Sequence, residues 1–327
     1  MSTIKELARN RGEAPPLRGG HALCAGCGIP IVVRTVLGSI DGPVVVVSAT
    51  GCLEVATTRF PTTAWTVPWL HVTFENAAAV ASGVESAHRA LVRRGRLPDE
   101  PVTFVVFAGD GGTYDIGLQA LSGALERGHR FLYVCYDNQA YLNTGVQRSS
   151  ATPRWASTTT SPASVRGLGK LQERKDITAI AAAHHVPYVA QAAGCHWQDL
   201  ARKVRRATSA GGPAFVNALA DCPLGWRHPA RIGPRVARLA VETRLWPLYE
   251  VAEGRTRLTY EPAERVPVQD WLALQGRFAH LLTPEHADAV AAIQARVDAD
   301  WDALLARCAA DAALRRAAVG DYDSGHA

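Results

Sequence analysis

The sequence predicts an α/β protein: a doubly wound, mostly parallel sheet with a helical C-terminal extension. Three observations carry this. Short continuous apolar runs recur at 44–47, 102–107, 131–136 and 214–218, as expected of strands buried on both faces. Segments with helical spacing separate them, and each run stops at a glycine turn or polar loop. A strand–helix–strand unit of this kind is right-handed, so successive strand C-termini arrive on one edge of the sheet.

Composition sets the bounds. The 327 residues suffice for one large domain with an extension. With 47% apolar residues the chain reads as an ordinary globular protein. A net charge of +5, with both signs interleaved, gives no nucleic-acid footprint. No apolar run reaches the ~18 residues of a membrane span. The N-terminus carries Lys5, Glu6, Arg9, Arg11 and Glu13 and no apolar core of a signal peptide. The expectation is a cytoplasmic protein, where seven cysteines suit metal or redox chemistry better than disulfides.

Residues 1–20, with Pro15-Pro16 and Gly19-Gly20, read as a polar N-terminal arm. In H-A-L-C-A-G-C-G (21–28), Cys24 and Cys27 form a C-x2-C with glycine on both sides of the second cysteine. Glycine allows a tight turn with amides directed at sulfur. The proline-rich lead-in argues against a thioredoxin-like pair, which follows a strand. Cys52 sits at the end of the strand at 44–47, in T-G-C, and Cys222 follows the strand at 214–218, in D-C-P. Zinc and iron–sulfur both remain open on spacing alone. Cys135 lies in an apolar strand and Cys308 in an alanine-rich helix, and both read as packing residues. Cys195, in G-C-H-W, has no partner motif.

A proline- and tryptophan-containing loop spans 60–69, and His71 ends a short strand. Residues 74–91 read as a helix with a small-residue stripe of Ala77, Val80, Ala81, Val84 and Ala87. The segment 102–145 then runs strand, glycine turn, helix, strand, polar loop. Gly109-Asp110-Gly111-Gly112 breaks the first strand, and Ile116, Leu118, Leu121 and Leu125 mark the helix. The second strand stops at Asp137-Asn138. Taken alone, G-D-G is a strand–helix turn with an Asp cap. The matched Asn138 changes that reading, because adjacent strand ends then offer a carboxylate and an amide oxygen to a hard cation such as Mg²⁺. The glycines and the following helix N-terminus suit a diphosphate.

G-D-G followed by Asn at this distance resembles the thiamine diphosphate (ThDP) signature. D-N-Q-A-Y-L-N-T-G-V-Q-R-S-S-A-T-P (137–153) and F-E-N-A-A-A-V-A-S-G (74–83) resemble the β chain of 2-oxoacid:ferredoxin oxidoreductases, closest to the pyruvate type. R-L-A-V-E-T and L-W-P-L-Y-E extend the resemblance to about residue 285. It implies a ThDP-binding fold, with Gly109, Asp110, Gly111, Gly112, Asn138, Ala140, Asn143 and Thr144 at the cofactor. Asp110, Asn138 and the Ala140 carbonyl would ligate Mg²⁺, and Asn143 would lie near the reactive ring and substrate. Cys24, Cys27, Cys52 and Cys222 would hold one [4Fe-4S] cluster.

The implied reaction is oxidative decarboxylation of pyruvate with coenzyme A to acetyl-CoA, CO₂ and reduced ferredoxin. Pyrimidine-binding (α/γ) and ferredoxin-like (δ) subunits would complete the complex. The alternatives are a branched-chain or aromatic 2-oxoacid such as phenylglyoxylate, a non-redox ThDP lyase or decarboxylase, and a zinc-stabilised α/β interaction protein.

The segment 146–175 holds Arg148, Arg154, Arg166, Lys170, Arg174 and Lys175 against Glu173 alone. It reads as a solvated basic loop or as a patch for an acidic partner, such as coenzyme A phosphates or ferredoxin. Helix–strand–helix–strand alternation over 176–220 closes the sheet. A ThDP- and Mg²⁺-binding domain with cluster loops is expected at 21–225. The extension at 226–327 is expected to be mainly helical, with little core of its own.

Overall fold

A computed structural model describes residues 15–165 and 167–323, with side chains to residue 314. Ten strands form: β1 Val44–Ala49, β2 Trp69–Val72, β3 Thr103–Gly109, β4 Leu132–Asp137, β5 Ala163–Ser164, β6 Gly167–Leu168, β7 Tyr188–Ala193, β8 Ala214–Leu219, β9 Leu248–Ala252 and β10 Arg255–Tyr260. Eight of them make one sheet in the order β10-β9-β7-β8-β4-β3-β1-β2. From β7 to β2 all pairs are parallel. β9 pairs antiparallel with β7, and β10 antiparallel with β9.

Continuous apolar runs give this sheet two buried faces. In β4, Leu132, Val134 and Tyr136 enter one core and Tyr133 and Cys135 the other, following the period-2 alternation of a strand. Helices Ile29–Leu37 and Trp197–Ser209 cover the first face, and Ala77–Arg93, Leu118–Glu126 and Ile177–Ala182 cover the second. Cys135 is a packing residue, fully buried. Cys308 is only half-buried.

Several expectations shift. Helix Ala77–Arg93 buries Ala77, Ala78, Ala81, Ser82 and Glu85, so its contact face is rotated from the expected stripe and Ala87 is exposed. Ile116 lies in a π-helical turn, Gly111–Ile116, rather than on the helix face, and is exposed. Most of the arm lies outside the described residues, but Leu17 is buried and pairs with Trp65.

The extension contributes the β9–β10 hairpin as well as helices. Trp226, Trp246, Trp271 and Phe278 gather with Ala193 and Leu219 into a third core at the sheet end. The extension therefore shares a substantial core with the sheet. Among the described residues no helix is long and apolar enough to cross a membrane.

Candidate cofactor and cluster site

Four neighbouring parallel strands, β8-β4-β3-β1, end on the same edge. The residues that follow them are Asp221-Cys222, Asn138, Asp110 and Thr50-Gly51-Cys52. Strand register thus sets two cysteines on the flanks of an Asp–Asn centre. Such an edge is where open α/β sheets bind ligands.

Asp110 is fully buried. Its Oδ2 accepts a short hydrogen bond from Ser149 Oγ, and its Oδ1 accepts the Asn138 backbone N–H at 3.3 Å. The Asn138 amide lies 2.7 Å from Asp110 Oδ1 and 3.0 Å from the Ala140 carbonyl oxygen. With its nitrogen toward them it donates to both. With its oxygen toward them, three oxygens meet, as a hard cation requires. The donors present therefore fit Mg²⁺. Only one of them is a carboxylate, and among the described residues no three His, Cys, Asp or Glu side chains gather around one ion.

Burial pushes the Asp110 carboxyl well above the usual range, and the nearby Asp137 adds to this. A divalent cation would supply the missing counter-charge. Asp137, also fully buried, accepts from Tyr114 Oη at 2.5 Å and from the Gln139 backbone N–H at 3.0 Å. Its role is to hold the loop. The glycine turn is tightly backed: a side chain at Gly111 would meet the Tyr141 ring at 2.3 Å, and one at Gly112 would meet the Phe74 carbonyl at 3.1 Å. Asn143 and Thr144 lie beyond this centre and are exposed, with Thr144 Oγ1 donating to Gln147 Oε1 at 2.6 Å.

The cysteine loops meet on the same edge. Gly28 N–H donates to the Asp221 carbonyl at 3.0 Å, tying the C-x2-C loop to the Cys222 loop. Gly26, at φ +78°, packs against Ala230, where a Cβ would lie 2.8 Å from backbone. Ala22 N–H donates to the Ala56 carbonyl on helix Cys52–Thr57. Burial pushes the Cys27 thiol up to about 12, with Cys222 and Cys52 adding to it. It does the same at Cys52, up to about 12, where Cys222 and Cys24 contribute. Cys222 is raised by burial and by Cys24, while Gly225 N–H points at its sulfur at 3.3 Å and opposes the rise. Cys27, Cys52 and Cys222 thus influence one another and Cys24 influences Cys52 and Cys222, while among the described residues no three of these side chains are gathered closely enough to hold one metal ion. Cys195 stands apart, 3.2 Å from His196 Nδ1.

Sequence reasoning missed the residues that join the two halves. Trp226 Nε1 donates to the Asn138 carbonyl at 2.8 Å. Arg277, buried and stacked 4.3 Å over Trp226, donates to Gln139 Oε1 at 2.5 Å. A buried arginine between a thiol loop and a carboxylate loop is a fixed cation near both. Burial lowers it to about 9, against the pull of Cys222, Asp137 and Asp110. Position alone could have hinted at Trp226, four residues after Cys222. Nothing local marks Arg277.

The basic loop is solvated in part: Arg148, Arg154 and Lys175 are exposed, whereas Lys170 and Arg174 turn inward. Lys170 is buried, donating to the Thr152 carbonyl at 2.6 Å. Arg174 donates to Tyr114 Oη at 3.1 Å, and Lys175 to the Tyr114 carbonyl at 2.7 Å. Acceptors on Thr152 and Tyr114 draw Lys170 and Arg174 inward. Arg166 lies outside the described residues. His71 Nε2 is 2.8 Å from Thr50 Oγ1, which places it at the rim of the site.

Comparison with known proteins agrees with this geometry. Residues 49–218 match the family model for the C-terminal TPP-binding domain of thiamine pyrophosphate enzymes. Pyruvate synthase subunit PorB of Methanocaldococcus jannaschii is 52% identical over 279 residues, covering 85% of this chain and 92% of the relative. PorB of Thermotoga maritima is 47% identical over 308 residues, covering 92% and 95%. The fold is also similar to that of 2-oxoglutarate:ferredoxin oxidoreductase from Magnetococcus marinus, solved with 2-oxoglutarate, coenzyme A and succinyl-CoA. The TM-score is 0.50 at 23% identity, over 68% of this chain and 79% of that one. The strand-end geometry, the matched TPP-binding domain and the near-full-length identity together show that the chain belongs to the PorB family, the thiamine pyrophosphate-binding subunits of 2-oxoacid:ferredoxin oxidoreductases.

Proposed function

We propose that this chain carries ThDP, Mg²⁺ and one [4Fe-4S] cluster in a pyruvate:ferredoxin oxidoreductase. The reaction is pyruvate, coenzyme A and two oxidised ferredoxins to acetyl-CoA, CO₂, a proton and two reduced ferredoxins, and it is reversible. The observation that carries this reading is the shared edge: an Asp–Asn–carbonyl oxygen set flanked on both sides by cysteine loops that are hydrogen-bonded together.

When bound, ThDP supplies the carbanion chemistry that lets a 2-oxoacid lose CO₂. The chain's own residues bind and orient. Asp110, Asn138 and the Ala140 carbonyl would hold Mg²⁺, and the glycine turn of Gly109, Gly111 and Gly112, packed from behind by Tyr136, Tyr141 and Phe74, would offer its backbone to the diphosphate. Ser149 and Asp137 keep the ligands in place from behind. Asn143 and Thr144, exposed past the loop, would line the cofactor, with Asn143 near the reactive ring and substrate. Cys24, Cys27, Cys52 and Cys222 hold the cluster. A positive metal core would offset the burial that raises Cys27 and Cys52, and the Gly225 N–H on the Cys222 sulfur suits a cluster thiolate.

The reading extends to organisation. The arm is 1–20, the cofactor domain 21–225 and the extension 226–327. Pyrimidine-binding and ferredoxin-like subunits cover the open edge, which supports a cytoplasmic hetero-oligomer passing electrons to ferredoxin. Exposed Val55, Ile116 and Leu224, each close in sequence to a site segment, support such a covered edge.

Anaerobically purified protein tests the reading. It should contain about four iron and four sulfide per chain, and Cys52→Ser should lose most of both while ThDP still binds. With a viologen acceptor, pyruvate should be oxidised in preference to 2-oxoglutarate, branched-chain or aromatic 2-oxoacids. Stoichiometric zinc without sulfide overturns the cluster, and colourless, iron-free active protein would mean a non-redox ThDP enzyme.

A further inference from the structure

Gln139 stands between two of the proposed Mg²⁺ ligands, Asn138 and Ala140, and its backbone is left-handed, at φ +67°. That conformation strains any residue with a Cβ, and turns that need it normally use glycine or asparagine. Here a fully buried glutamine adopts it. The bend shapes the loop. The Asn138 amide lies 2.7 Å from Asp110 Oδ1 and 3.0 Å from the Ala140 carbonyl oxygen. An ordinary negative φ between the two residues would carry the chain on past the strand end and turn the Ala140 carbonyl away.

Strain of this kind persists only where the surroundings hold it. Three buried donors from other segments do so. Trp226 Nε1 donates to the Asn138 carbonyl at 2.8 Å, and Thr152 Oγ1 to the Gln139 carbonyl at 2.6 Å. Arg277 Nη2 donates to Gln139 Oε1 at 2.5 Å. Among the described residues this is the one hydrogen bond that the Gln139 side chain makes. Arg277 is itself fixed. Its Nε donates to Gln275 Oε1 at 2.9 Å, and its guanidinium stacks 4.3 Å over Trp226. Its carbonyl accepts the Ser157 N–H at 2.9 Å, and the preceding Gly276 N–H donates to the Arg227 carbonyl at 3.0 Å. A planar guanidinium held this way fixes an amide oxygen in direction as well as distance.

We propose that Arg277 is a positioning residue for the Mg²⁺ loop: it fastens the Gln139 side chain and so holds the left-handed bend that brings Asn138 and the Ala140 carbonyl around Asp110. The role rests on the Mg²⁺–ThDP reading above. It makes an arginine of the extension, 138 residues further along the chain, a condition for metal binding at the sheet edge.

The test uses the complex, stripped of Mg²⁺ and ThDP by chelation and titrated calorimetrically with ThDP at several Mg²⁺ concentrations. Arg277→Met should weaken ThDP binding at limiting Mg²⁺ by about ten- to a hundredfold, the range for groups that orient metal ligands. Excess Mg²⁺ should recover it by mass action. Gln139→Ala keeps the arginine and the strained φ but loses the fastening, and should behave alike. Gln139→Gly removes the strain, so it should bind better than Gln139→Ala although it carries less side chain. Adding Arg277→Met to Gln139→Gly should cost less than about threefold more. Arg206→Met, which loses a bond to Glu250 beside Tyr188 at the start of β7, should lower thermal stability and leave both affinities unchanged. Circular dichroism checks the fold of each variant, and the two Gln139 variants decide the matter if Arg277→Met does not fold. Three results overturn the proposal: unchanged affinity in Arg277→Met, Gln139→Ala binding as well as Gln139→Gly, or an Arg277→Met loss undiminished in the Gln139→Gly background. An unaltered complex without Mg²⁺-dependent ThDP binding overturns the cofactor reading itself, so the first titration tells the two failures apart.

Discussion

At the residue scale, the proposed Mg²⁺ centre is a buried carboxylate that a cation would stabilise in its charged form. Asp110 is raised by burial and by Asp137, and three nearby oxygens converge when Asn138 turns its carbonyl inward. Asp110→Ala should leave the chain folded, by circular dichroism, and weaken Mg²⁺-dependent ThDP binding by at least about a hundredfold, since even outer-shell losses reach that size. Unchanged ThDP affinity in the variant would move the site elsewhere. Asp110 and Asn138 are legible in the sequence because each directly follows a strand. Ser149, Trp226 and Arg277 are not. Their partners stand 39, 88 and 138 residues away, and no local periodicity encodes a contact across that distance.

At the scale of elements, the cysteine loops depend on close backbone approach. Gly26 combines a left-handed φ of +78° with backbone of Ala230 only 2.8 Å from any Cβ. A side chain there strains the turn and also pushes the C-x2-C loop off the Cys222 loop. Gly26→Ala should therefore lower stability by about 1–3 kcal/mol in chemical denaturation, and iron content should drop with it. Gly19→Ala, with open space around it, should change neither. Helix Ile29–Leu37 went unread, but the parallel strands were readable from apolar runs and breaks to within a residue or two at most ends. The β9–β10 hairpin was not, because short half-polar strands at a sheet edge resemble loop sequence. The inward turn of Lys170 and Arg174 in the basic loop escaped for a related reason: cations in a polar stretch look solvated until the acceptors that draw them inward are known.

At the scale of the whole molecule, the function proposed for this chain gives it one side of a shared cofactor site. Beyond β8 the extension adds two antiparallel strands and helices to the same sheet, without the parallel alternation of a second doubly wound domain. The purified chain, without partners, should show no 2-oxoacid oxidation with viologen, and mixing it with the remaining subunits should restore activity. Full turnover by the isolated chain would contradict the shared-site reading. Cys24, the exposed member of the four, should lose iron first when the partners are absent.

What the sequence determined by itself is local: buried runs, breaks at glycine, the strand-end positions of Cys52, Asp110, Asn138 and Cys222, and the motif likeness that named the family. These follow from hydrophobic period and backbone chirality, which act over a few residues. Strand order decided the rest. Only the folded sheet shows that β8, β4, β3 and β1 are neighbours. The same holds for the placement of Trp226 and Arg277 between the Asp–Asn loop and the Cys222 loop. Those depend on packing between distant segments, where burial, and no local pattern, selects the partner.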